Sequence, residues 1–306
     1  MQFRRLINAR NVLFVSAFFA GLMTGESLRP LERLAMPILG MIITVSLTGV
    51  SFSRFRNPGQ ILSQTASGII LNHVILSGVT LLLAWCLLPD GDLRDGFVLV
   101  AIAPPGAAII PFTHILKGDL TRSTIGVISG HFYTLCAAPF IASYFIGGQA
   151  VTPEHLFTVL LKLIALPFVI ARLLVLLRLD TAVGKWHGTV VNWGFATIVA
   201  TIVGINRELL FGAPGTLVRV LAISFVSVFG AGCALNFLLR ASGFSRPARA
   251  SMVLMGTVKN SAFAAAIGLS LIGKTASFPG VMITLAIIAF LMAAGTRVTP
   301  GAPGVD

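Results

Sequence analysis

Long apolar runs separated by short polar stretches account for most of this chain. They fall at about 11–26, 30–52, 59–88, 93–116, 121–147, 154–177, 187–206, 214–240, 247–272 and 277–296. Most of them hold the roughly 20 residues a helix needs to cross a bilayer core. The pattern therefore predicts about ten transmembrane helices and places both ends of the chain on one side of the membrane. It also divides the chain into halves, 1–150 and 151–298, with 299–306 read as a disordered tail. Each half carries an odd number of spans, so the second enters the membrane in the opposite sense, which is the layout of an inverted repeat.

Composition strengthens the membrane reading. Of 306 residues, 56% are hydrophobic and 10% are charged, with a mean hydropathy of +0.94; a soluble domain carries about 25% charged residues. The net charge of +12 is scattered singly between apolar runs rather than gathered into a patch, so nucleic acid is not expected as a partner and the lipid bilayer is. One set of span ends holds Arg4, Arg5, Arg10, Lys117, Arg122, Arg172, Arg178, Lys185, Arg240, Arg246 and Arg249. The opposite set holds only Arg29, Arg33, Arg94, Arg207 and Lys274, among acids such as Glu26, Asp92 and Glu208. By the positive-inside rule both termini are cytoplasmic and the chain is a multi-pass protein of the cell inner membrane. The first apolar run follows a basic start but lacks a small-residue cleavage site, so it reads as a first span rather than a signal peptide. Cys86, Cys136 and Cys233 show no metal-ligand or disulfide spacing and are expected to be packing residues.

Two spans carry unusual chemistry, and they hold the same place in each half. The fourth contains Ala103-Pro-Pro-Gly-Ala-Ala108, and the ninth contains Gly256-Thr-Val-Lys-Asn-Ser261. Tandem prolines remove backbone donors and clash with the preceding turn, so a break is predicted at Pro104, Pro105 and Gly106, with a second at Gly256. Broken helices expose unpaired N–H and C=O groups at membrane depth, tolerable only inside protein or beside a water-filled cavity. Lys259 is the sharpest signal, because a cation this deep costs a few kcal/mol and marks a substrate or ion path by default.

On Pro104-Pro-Gly-Ala-Ala108 with Lys117-Gly118, on Lys259-Asn260-Ser261, and on the Arg246-Pro-Ala-Arg-Ala250 lead into the ninth span, the chain resembles the bile acid:sodium symporter family. The resemblance covers nearly the full length. It implies an all-α membrane protein of about ten helices in two inverted five-helix repeats, whose discontinuous fourth and ninth helices cross at the bilayer midplane. It also implies secondary transport of organic anions by alternating access, with no catalytic residue and no cofactor.

The departures from that family are as telling. Where sodium-coupled members show Pro-Gly-Gly-Thr-Ala-Ser-Asn in the fourth span, this chain has Pro104 to Ile110, so the Ser-Asn sodium ligands become Ile109 and Ile110. The ninth-span Glu and Gln become Met255 and Lys259, and a fifth-span threonine becomes Val127. A hard cation needs oxygen ligands, which these side chains lack. An ammonium supplies positive charge and three donors without any ion. Lys259 is thus expected to replace the coupling sodium, leaving a small or amphipathic organic anion as the partner and no resident metal.

The remaining candidates follow from position. Lys259, Asn260, Ser261, Gly106, Ala107, Ala108 and Thr113 flank the breaks and are the expected substrate site; Asn260 matches a family residue that helps hold the anion. Lys259, His131 and His114 are the expected ion- or proton-coupling residues, since histidine titrates near neutral pH. Asn72 and His73 lie where the family has a sodium-binding Gln, but the register against Trp85 is off by about a turn, and no role is carried over. Lys162 either snorkels or lines the path, Arg219 is expected to snorkel, and Asn192 and Asn236 to bond between helices. A proton-coupled exporter resembling auxin carriers is the alternative, as is a sodium symporter with an altered ion site. An arsenite permease would need a thiolate where Ala103 stands, and an intramembrane enzyme would need a catalytic pair the spans lack.

Overall fold

The computed structural model describes the backbone of residues 2–49, 57–147 and 151–296 and the side chains of 12–49, 57–147 and 151–294. The expected tail at 299–306 and the basic side chains of Arg4, Arg5, Arg10 and Arg54 lie outside the described side chains. All regular elements among the described residues are helical. Helix α1 (Gln2–Thr24) leads through a 3-10 segment (Gly25–Leu34) to α2 (Ala35–Thr48). Then α3 (Pro58–Ile69) joins α4 (Ser77–Leu87) through a wide π-helical turn (Ile70–Leu76), and α5 (Asp92–Ile102), α6 (Ile109–Ile115) and α7 (Leu120–Ile146) follow. Next, α8 (Pro153–Leu160) and α9 (Leu166–Leu176) are joined by a π turn at Leu161–Ala165, and α10 (Asp180–Ile205) is followed by the short α11 (Arg207–Gly212). Helix α12 (Pro214–Phe225) joins α13 (Ala231–Ala241) through a third π turn (Val226–Gly230), and α14 (Arg246–Met255), α15 (Ser261–Leu271) and α16 (Lys274–Thr296) complete the fold.

Among the described residues, seven helical runs are long and apolar enough to cross a membrane. The chain is a multi-pass integral membrane protein. The first of these runs, Val12–Thr48, doubles back on itself. Phe14 packs on Phe195 of α10 and Gly21 lies against Ala200, whereas Ile38 and Ile42 of α2 return to Gly194. The reversal sits at Gly25, whose φ of +59° suits a residue without a Cβ. Two further apolar segments, Asp92–Leu116 and Arg246–Leu271, are each interrupted in the middle.

Three helix starts of the first half recur in the second at the same spacing. The interval from Ser77–Leu87 to Ala231–Ala241 equals that from Asp92 to Arg246 and from Leu120 to Lys274. Packing sorts the helices into two groups: α1, α2, α9 and α10 lie together, while the interrupted segments (α5 with α6, α14 with α15) pack with α7 and α16 and with α3, α4, α12 and α13. In contrast to the packing role expected of them, Cys86, Cys136 and Cys233 are all exposed on outer helix faces. An apolar thiol is as well matched to a lipid-facing surface as to a protein core, so apolar context alone did not fix its direction. Asn236, expected between helices, is also exposed, between the buried Leu235 and Leu239 in α13.

Candidate functional site

The two interrupted helices meet where they break. Between Ile102 and Ile109 the chain is not helical, and between Met255 and Ser261 it opens again. Pro105 and Lys259 pair there as an isolated antiparallel bridge. Gly106 N–H donates to the Val258 carbonyl at 3.1 Å, and Asn260 N–H donates to the Pro104 carbonyl at 2.8 Å. Proline is tolerated because the bridge asks for donors only from Gly106 and Asn260, on either side of the paired residues. Gly106 is needed for the approach itself, since a Cβ at that position would come 2.9 Å from the Lys259 carbonyl oxygen.

Four half-helix ends converge on this bridge. α5 and α14 arrive with their C-termini, so their last carbonyls have no intrahelical donor and carry the negative ends of the dipoles. Lys259 addresses the first: its Nζ donates to the carbonyls of Ala101 at 2.6 Å and Ala103 at 2.9 Å. Only 4% of Lys259 is exposed. No carboxylate lies within ion-pairing distance of it among the described residues. Ser77 from α4 also donates to Ala101, at 2.6 Å, and Thr134 from α7 donates to Ile102 at 3.2 Å. Asn72 addresses the second end, its Nδ2 donating to the Met255 carbonyl at 2.7 Å and to Val258 at 3.3 Å.

The N-terminal ends leave the bridge in opposite surroundings. Asn260 caps α15, its Oδ1 accepting from Phe263 N–H at 3.3 Å. Residues Ser261 to Gly268 of α15 are buried, held by α16 and α5 on one side and by α2 and α10 on the other. α6 rests mainly on α7 and α14, and Ala107, Ala108, Ile110, Pro111 and His114 form an accessible face. The break is thus open towards the α6 end and sealed towards the α15 end.

The structure brings Lys259, Asn260, Gly106, Ala107 and Ala108 together at this bridge. Thr113 and Ser261 point elsewhere: the Thr113 hydroxyl shares a 2.7 Å bond with Ser123, and that of Ser261 a 2.7 Å bond with Thr284. Gly256 lies directly after the last residue of α14, where the helix stops. His131 is buried in α7, its Nδ1–H donating to the Val127 carbonyl at 2.8 Å, whereas His114 is exposed near the far end of α6. Lys162 is exposed on the π turn between α8 and α9, and Arg219 is exposed on α12. Asn72, to which the residue spacing alone assigned no role, is placed at the crossing from the π turn at Ile70–Leu76, and its partners are backbone carbonyls that no side-chain pattern marks. Sequence reasoning also passed over Asn206, which is 2% exposed and ties α10 to the Lys274 carbonyl at 3.0 Å. A separate recess of about 520 Å³, lined by Thr24, Glu26, Arg207 and Phe211, lies beyond the far end of α15 and takes no part in the bridge. Beside it Lys274 pairs with Glu26 at 3.2 Å and with Glu208 at 3.8 Å.

A bundle of membrane-crossing helices around two interrupted, paired segments is the build of a secondary transporter, with irregular backbone at membrane depth satisfied inside protein. The model of the sodium bile acid symporter family matches residues 36–213, more than half of the chain, and the chain belongs to that family. It is accordingly a membrane transporter of the organic-anion class and not an enzyme. The matched stretch includes Pro104 to Gly106 and ends before Lys259. No curated protein matches the chain.

Proposed function

We propose that this protein is a sodium-independent secondary transporter of small or amphipathic organic anions in which Lys259 takes the place of the coupling cation. The observation that carries the reading is the buried ammonium on the Ala101 and Ala103 carbonyls, where one fixed positive charge closes the negative end of α5. Buried charges need compensation. Here it comes from carbonyl dipoles, so an anionic substrate approaching over Ala107 and Ala108 meets an ammonium that no carboxylate among the described residues has neutralised. The positive end of the α15 dipole adds to the potential from the other side.

The same reading takes the doubled-back first run and the two interrupted segments as crossings, giving about ten in all. The equal spacing of three pairs of helix starts and the antiparallel bridge support two inverted repeats related through Pro105 and Lys259. Charge distribution supports cytoplasmic termini in an inner membrane. On that orientation the open face of α6 looks towards the cytoplasm.

The test is thermal stabilisation of the purified protein by taurocholate and by branched-chain 2-oxo acids, in sodium and in potassium buffers of equal ionic strength. Stabilisation equal in both buffers and absent in Lys259→Gln is expected; stabilisation that requires sodium overturns the reading. Proton-linked transport is the second reading, favoured by His73, whose ring lies tilted against Tyr133 with centroids 4.6 Å apart and within electrostatic reach of Lys259 and His131. Uptake into proteoliposomes that follows an imposed pH gradient selects it.

A further inference from the structure

Asn72 stands in the same relation to α14 as Lys259 does to α5. Met255, whose carbonyl it bonds, precedes Lys259 by as many residues as Ala101 precedes Pro105, so the two carbonyls are equivalent about the bridge. Each half therefore receives its cap from the other. Lys259 in the second half closes the end of the first-half helix, and Asn72 in the first half closes the end of the second-half helix.

The direction of the Asn72 amide follows from its partners. Both are carbonyl oxygens, which only accept, so the NH2 group faces them. The Oδ1 atom is then left buried with no hydrogen-bond partner among the described residues, in a side chain that is 0% exposed. An orphaned buried acceptor is costly. The amide donors nonetheless aim at Met255 and Val258. Asn72 projects from the π turn at Ile70–Leu76.

We propose that Asn72 is a positioning residue which occupies a second cation place, so that neither half of the crossing takes an inorganic ion. A neutral donor fits beside Lys259 where a second ammonium does not, because two like charges in one dry crossing repel strongly. The division is one full charge on the end of α5 and one amide on the end of α14. This rests on the reading of Lys259 as an internal cation and extends it to the other half.

The test needs no substrate. The full chain is purified in detergent as wild type, Asn72→Ala and Asn72→Gln, and its melting temperature is measured in sodium, potassium and choline chloride at equal ionic strength. Removing the amide leaves the Met255 carbonyl without a donor, but a sodium ion can take the amide's place only where Lys259 no longer repels it, so Asn72→Ala is also measured with Lys259→Gln added. Asn72→Ala is expected to melt lower than wild type by the same amount in the three salts, and the double variant to regain roughly 3 °C or more in sodium alone. Asn72→Gln, which keeps the donor, is expected to show no sodium preference in either background. If Asn72→Ala does not fold, Asn72→Ser takes its place with the same outcomes expected. No sodium-specific recovery in the double variant, or no loss in Asn72→Ala, overturns the proposal. A sodium preference in the wild type would instead overturn the reading of Lys259, so the two failures are distinct.

Discussion

Lys259 and Ala101 come from opposite halves of the chain and meet at 2.6 Å, ammonium to carbonyl oxygen. The contact fixes where α5 ends and, through the neighbouring bridge, where α14 ends. A single side chain thereby holds both interrupted helices in register. Lys259→Met keeps the volume of the stem and removes the donors, leaving the buried Ala103 carbonyl without a partner while Ala101 keeps that of Ser77. At about 1–3 kcal/mol for such an unsatisfied group, the melting temperature should fall by roughly 5 °C or more, read by thermal denaturation of the purified protein.

Gly106 supports the same bridge by having no side chain. A Cβ there would lie 2.9 Å from both the Lys259 carbonyl oxygen and Val258 Cγ1, and the first of these is backbone that cannot swing aside. Gly106→Ala should destabilise by about 1–3 kcal/mol and weaken anion-induced stabilisation together with it. Unchanged melting would show that the crossing can spread without loss.

The two sides of the bridge differ in access, and chemical labelling reads that difference. Ala107 and Ile110 are partly exposed on α6, while Ala264 and Ala265 on α15 are 1% and 0% exposed. In a variant without the native cysteines, Ala107→Cys and Ile110→Cys should react with a charged thiol reagent at least about tenfold faster than Ala264→Cys, given that reactivity follows access. Equal rates would mean that the α15 side opens as readily as the α6 side.

Thr113 and Ser123 share one hydroxyl bond at 2.7 Å, linking α6 to α7 beneath the bridge. Thr113→Val strands the Ser123 hydroxyl and should cost about 1–2 kcal/mol. Adding Ser123→Ala should cost less than its single-mutant effect, because the partner is already lost. A double-mutant cycle on the melting temperature checks the coupling, and strict additivity would assign the bond no role.

Much of the membrane architecture is local in origin and so was legible in the chain. Apolar length set the crossings Pro58–Leu87, Leu120–Ile146, Pro153–Leu176 and Pro214–Ala241 to within a residue or two of their observed ends. Tandem prolines at 104 and 105 coincide with the interval where α5 and α6 are separate helices. The start of α10 was missed by several residues, since Asp180 and Lys185 interrupt the apolar run while the helix continues through them. Direction was less legible than depth. Exposed Cys136 and buried His131 share α7, and their spacing along the helix does not tell which face meets lipid.

The sequence by itself determined that this protein crosses a membrane many times, that two apolar segments are broken, and that one break carries a lysine. These follow from hydropathy and from the missing donors of proline, properties each segment has alone. Only the tertiary structure decided what the breaks are for. Pro105 and Lys259 lie in opposite halves of the chain, and no local property predicts that Gly106 and Asn260 exchange backbone bonds across them. The partners of Lys259 and Asn72 are backbone carbonyls, which every residue has, so no side-chain pattern marks them. They become specific acceptors only because two helices end at the same place in space, and that coincidence exists only in the folded molecule.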